Sequence, residues 1–183
     1  MDEKINRVWE NFNSTTTLKE MKKETKIEST IKIRYYAYIS EIGNNTGAFS
    51  LDIDNAPTWN TFEFAFDKMN GMEDYNDTVC FTLYIIRGNY RMNTSTERNF
   101  EMFSNTSRSP DFDVSKIDVL IVENCVILSR GYYMSIKGIS FSGMISTAIY
   151  FFGRISEIDY CKFEQNKLGL SGLNKKIFFL FFP

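Results

Sequence analysis

The segment from Val114 to Asn166 repeats itself every 22 residues. Val114, Ile136 and Ile158 fall in one column, Ile117, Ile139 and Cys161 in a second, and Val119, Phe141 and Phe163 in a third. A fixed period in the twenties is the mark of a solenoid, in which each repeat buries its apolar side only against its neighbours. Within Ile136–Gly143, Ile139 and Phe141 share one face of a strand, with Ser140 and Ser142 on the other. Ile136 lies three residues before Ile139, so both point inward only if the chain turns a corner near Lys137 and Gly138. The columns therefore place Ile139, Phe141, Cys161 and Phe163 inside, and Ser140 and Lys162 outside.

The stretches SIKGISFSG (Ser135 to Gly143) and IDYCKFEQN (Ile158 to Asn166) resemble rungs of the right-handed parallel β-helix of the pectin-lyase-like superfamily. TWNTFEFAFDKMNG (Thr58 to Gly71) resembles the amphipathic helix that covers the first coil in that superfamily, and YAYISEIGNNTG (Tyr36 to Gly47) the strand and turn before it. The resemblance implies an all-β solenoid with an N-terminal capping helix. The alternative is a leucine-rich repeat solenoid. Ile158-x-x-Cys161-x-Phe163-x-x-Asn166-x-Leu168 fits that pattern, but Val122 and Met144 stand where its Asn ladder belongs.

Taken in order, residues 1–30 read as a polar leader, with Ile5, Val8, Trp9 and Phe12 on one face of a short helix. Residues 31–79 read as an entry strand, a loop and the capping helix, which starts at Asn60 or Thr61 and stops at Asn70-Gly71. Residues 80–172 read as β-helix rungs. They open on a strand from Thr82 that ends in a Gly88-Asn89 turn, and Met92 to Asp113 forms a degenerate rung with a loop insertion. Residues 173–183 read as an incomplete rung or exposed apolar tail, Ile177 to Phe182, through which the chain is expected to self-associate.

Composition excludes several classes of function. There is no His among 183 residues, which removes His-based relays and His-ligated metals. A net charge of −2 gives no reason to expect nucleic acid. No apolar run reaches the length of a membrane span. Cys80, Cys125 and Cys161 form neither a CxxC nor a disulfide framework, and Cys161 reads as a small buried hydrophobe. Met1 to Glu10 shows no secretory signal, whereas the family resemblance implies a secreted or cell-surface protein. Sequons start at Asn13, Asn44, Asn76, Asn93 and Asn105.

No catalytic residue, cofactor site or metal site is read from the chain. The Gly-His-Gly and Arg-Ile-Lys motifs of polygalacturonase-like members are missing. Asp159 and Glu164 are candidate outward carboxylates and Arg154 a nearby candidate base for a lyase-like site, but Lys137 and Ser142 stand 22 residues before the two acids, so no acidic ladder forms. Asp52-x-Asp54-Asn55 reads as a solvated loop. The expected function is a non-enzymatic scaffold, surface or adhesin-like, that binds glycan or protein. The alternatives are a remnant of a polysaccharide lyase or glycosidase and an inactive truncated product.

Overall fold

The computed structural model describes residues 30–109, 111–122, 126–143, 147–153, 155–164 and 168–172. The chain forms two units, residues 1–32 and 33–183, and every element named here belongs to the second. The leader helix, Asn13, Cys125, Arg154, Asn166 and the apolar tail lie outside the described residues.

The described chain is predominantly β, with parallel sheets and one helix. It opens with β1 (Ile33–Ile39), β2 (Thr58–Trp59) and helix α1 (Phe62–Asn70). Then come β3 (Val79–Ile85), β4 (Gly88–Tyr90) and β5 (Asn93–Thr96). They are followed by β6 (Phe100–Ser104), β7 (Val119–Val122) and β8 (Val126–Ser129). The last six strands are β9 (Tyr133–Lys137), β10 (Ser140–Ser142), β11 (Thr147–Phe151), β12 (Ile155–Asp159), β13 (Lys162–Glu164) and β14 (Leu168–Gly172). From β3 onward, successive strands enter three different sheets in rotation. The first sheet has the order β12-β9-β6-β3-β1-β2, the second β13-β10-β7-β4 and the third β14-β11-β8-β5.

Register builds the core. In the first sheet Ala37, Leu83, Met102, Ile136 and Ile158 form one inward row, and all five are buried. In the second, Tyr90, Ile121, Phe141 and Phe163 form another, and Phe141 and Phe163 stack with ring centroids 5.1 Å apart and planes 8° from parallel. The corner expected at Lys137 and Gly138 is present, with Gly138 at φ 73°. Only glycine adopts that backbone freely, and a Cβ there would lie 2.5 Å from Ser104 Oγ and 2.8 Å from Ser107 Cβ.

Helix α1 starts where expected, with the Thr61 hydroxyl accepting a hydrogen bond from the Phe64 amide at 3.2 Å. Its buried side chains meet all three sheets. Phe66 packs edge-on to Phe100 of the first sheet and Phe62 to Tyr90 of the second, with centroids 5.4 and 5.6 Å apart. Met69 Sδ lies 3.7 Å from the Thr96 hydroxyl of the third.

Several expectations need correction. The repeat does not hold 22 residues throughout: Phe141 pairs with Ile121, twenty residues earlier, so Val119 is the partner position of Ile139 and not of Phe141. Val114 begins a 3-10 turn, Val114–Lys116, and Met102 takes the place beside Ile136. Val114 is displaced because the segment between β6 and β7 adds residues to the β6–β9 circuit without adding a strand; the shorter offset of Phe141 and Ile121 is set instead by the connections between β7 and β10, which follow that segment. Gly88-Asn89 does not end a strand; the chain bends at Ile86–Arg87 and Gly88 opens β4. Ser140 is buried, not outside, because its short side chain stands in register between the larger Leu120 and Lys162. Cys161 and Phe163 are only half-buried; they lie at the last described strand of the second sheet, β13, whose one neighbour among the described strands is β10.

Candidate functional site

The outer face of the first sheet carries the polar chemistry of the chain. Alternation along the strands puts Tyr36, Thr82, Glu101, Ser135 and Glu157 in one outward row, and Tyr38, Tyr84, Phe103, Lys137 and Asp159 in the next. The two rows differ in character. In the first, Thr82, Glu101 and Ser135 are buried; in the second, Tyr38, Tyr84, Phe103 and Lys137 are half-buried and Asp159 is exposed.

Glu101 is the unusual residue, a carboxylate only 5 % exposed. A buried charge needs partners. The Thr82 hydroxyl donates to Glu101 Oε2 at 2.7 Å, and Arg34 Nη2 donates to Oε1 at 3.2 Å as a salt bridge. The Tyr133 hydroxyl lies 3.4 Å from Glu101 Oε1 and 3.4 Å from Glu157 Oε2. Burial first, then the two carboxylates, push the Tyr133 phenol far above its ordinary range. It therefore keeps its proton and can donate to only one of the two acids at a time. Burial likewise raises the Cys80 thiol beside this group.

The second row is an aromatic strip. Tyr84 lies near Tyr36, Tyr38 and Phe103, with centroids 6.5, 5.7 and 6.1 Å away. The Arg108 guanidinium sits 4.6 Å from the Tyr84 ring centroid and donates to the Tyr38 hydroxyl at 3.3 Å. Further along, Lys137 Nζ lies 5.5 Å from the Tyr160 ring, which meets Phe112 edge-on at 5.8 Å. The 3-10 turn Asn105–Arg108 that delivers Arg108 is closed by Ser104, whose hydroxyl accepts from the Ser107 amide at 3.1 Å.

Of the residues considered from sequence, Asp159 lies at the exposed end of this strip, in register with Lys137. Glu164 lies in β13, and its side chain is outside the described residues. Asp52 serves its own loop, accepting from the Asp54 amide at 3.0 Å and from Asn55 Nδ2 at 2.6 Å. The asparagines of the four described sequons are all exposed. Among the described residues, no three His, Cys, Asp or Glu side chains are placed to hold a metal ion, and no helix is long and apolar enough to cross a membrane.

Sequence reasoning missed Arg34, Thr82, Glu101 and Tyr133 as a group. They come from four strands whose spacing follows no single period. The one local trace was the alternation of Tyr36 and Tyr38, which marks an outward face without saying what lies beside it. No family model, curated protein or solved structure matches the chain.

Proposed function

We propose that the chain is a right-handed parallel β-helix of the pectin-lyase-like kind, serving as a non-enzymatic scaffold that binds glycan or protein along the outer face of the first sheet. The rotation of strands through three parallel sheets supports that fold over a leucine-rich repeat, which has one strand per repeat. Right-handedness follows from the general preference of parallel crossovers.

The observation that carries the binding reading is the strip of Tyr38, Tyr84, Phe103 and Arg108. Tyrosine offers rigid, amphipathic contact area at low entropic cost, and arginine a planar set of donors. Both are the residue types that dominate recognition surfaces. The test is binding to arrays of immobilised glycans and of surface proteins, with wild type beside Tyr84→Ala/Arg108→Ala. Retained binding by a folded double variant, or no binding by the wild type, defeats this reading.

The enzymatic alternative draws on the pair Glu101 and Glu157, which share the Tyr133 hydroxyl. Against it, Glu101 is buried and both of its oxygens already accept hydrogen bonds, from Arg34 and Thr82. Cleavage of any polysaccharide that stops with Glu101→Gln, in a chain that stays folded, would restore it.

A further inference from the structure

The third sheet borders a cleft of its own. A cleft of about 320 Å³ opens where its outer face meets the C-terminal end of α1, lined by Asn70, Ser95, Thr96, Glu97, Arg98, Leu128 and Arg130. That volume is at the lower end of small-molecule pockets, which run from about 300 Å³. Most of the lining is already committed. The Thr96 hydroxyl donates to Asn70 Oδ1 at 2.7 Å, and Asn70 Nδ2 donates to the Ser95 carbonyl at 2.9 Å. Arg98 donates to the carbonyls of Asn70 and Met72 at 3.1 and 3.0 Å and lies over the Tyr75 ring at 4.2 Å. These contacts fix the back wall.

Arg130 is different. Its side chain is 61 % exposed, and its ion pair with Glu97 is loose at 3.7 Å, with Glu97 itself 75 % exposed. A guanidinium has five donors, and a contact of that length leaves them open to a better acceptor. Beside it the surface turns apolar. Leu128 is half-buried in the cleft and pairs in register with Tyr150 on the next strand. Phe152 repeats the position of Arg130 one circuit on: the Arg130 amide donates to the Thr96 carbonyl at 2.8 Å, and the Phe152 amide to the Ser129 carbonyl at 2.9 Å. Phe152 is 45 % exposed. One loosely held guanidinium thus stands next to an apolar shelf of Leu128, Tyr150 and Phe152.

We propose that this cleft binds a small carboxylate with a flat apolar body, the carboxylate paired to Arg130 in place of Glu97 and the body laid on the shelf. Bidentate carboxylate recognition is the geometry that arginine favours. Glu97 acts as a built-in competitor for the same guanidinium.

The probe is benzoate, titrated into the full chain and followed by amide chemical shifts, with benzamide as the neutral isostere and inorganic phosphate as an anion lacking the apolar body. Saturable shifts at Leu128, Arg130 and Phe152 are expected for benzoate, with benzamide and phosphate each weaker by about tenfold, the size of a lost charge-assisted bond or a lost apolar contact. Arg130→Gln should weaken benzoate about tenfold, and Glu97→Gln should tighten it several-fold. Both residues are exposed, so each variant should keep its thermal unfolding curve. The proposal is overturned by benzoate and benzamide binding alike, by Arg130→Gln binding like the wild type, or by no saturable shift in the cleft.

Discussion

Gly138 and Tyr160 occupy the same corner between the first and second sheets on successive circuits, and both have a left-handed backbone, at φ 73° and 51°. The chain makes the same bend twice with very different side chains. Tyr160 offsets its backbone cost through contacts with Phe112 and Lys137. Gly138 has no such freedom, because Ser104 and Ser107 fill the space a Cβ needs.

Gly138→Ala should therefore destabilise the fold by about 2–3 kcal/mol, from strained backbone plus the clash. Tyr160→Gly should change stability by under about 1 kcal/mol, since relief of the left-handed backbone offsets the lost ring contacts. Urea denaturation of the two variants measures the difference. Equal losses at both positions would contradict a shared corner with unequal packing.

The inward stack gives a graded prediction. Phe141 is fully buried, and Phe141→Ala should cost about 3–5 kcal/mol. Phe163 is half-buried at the end of the same row, so Phe163→Ala should cost roughly half as much. A larger loss at Phe163 would show that more structure covers it than the described strands.

The Glu101 cluster predicts an asymmetry. Arg34→Ala strands a buried carboxylate and should cost about 2 kcal/mol or more, after allowing for the partial exposure of Arg34. Glu101→Gln keeps one acceptor oxygen, for Arg34, and presents its NH2 to the Thr82 hydroxyl, which can rotate to accept, so it should cost less. The same denaturation series decides it. Should Glu101→Gln prove the worse of the two, the carboxylate charge matters more than its burial suggests.

Two interior hydroxyls point to stabilising changes. Among the described residues, Thr94 Oγ1 and Ser129 Oγ are buried with no hydrogen-bond partner. Thr94→Val and Ser129→Ala remove a desolvated polar group while nearly keeping shape, and each should be neutral or stabilising by up to about 1 kcal/mol. A clear loss of stability in calorimetry would mean that the hydroxyls are satisfied in solution.

Cys161 makes stability sensitive to alkali. The residue is half-buried, and burial pushes its thiol up from an ordinary value of 9 to about 12. A group that holds its proton more tightly when folded contributes stability that is whole below pH 9 and is lost as pH rises towards 12. Cys161→Ala should flatten the fall in stability between pH 9 and 11, a window inside that range. If the variant and the wild type fall in parallel, burial does not raise this thiol.

How far the sequence could be read follows from where its period holds. Between β9 and β12 each residue pairs with the one 22 before it, and there Ile136 and Ile158 were legible as a column. Earlier strands break the rule. Phe100 pairs with Phe81 on one side and Met134 on the other, at unequal separations, because the Asn105–Asp118 segment enters between β6 and β7. Helix α1 was legible because capping and a helical apolar stripe are local signals. The face holding Arg34, Glu101 and Tyr133 was not, because a row that crosses strands needs register, and register here depends on loop lengths that no repeat fixes.

Both proposed surfaces exist only if the strands stack in the described register. Backbone nuclear Overhauser contacts around Phe141 test it most directly. The parallel register predicts contacts from the Phe141 strand to Ile121 on one side and to Phe163 on the other. Contacts placing Val119 beside Phe141, or antiparallel contacts between neighbouring strands, would contradict it.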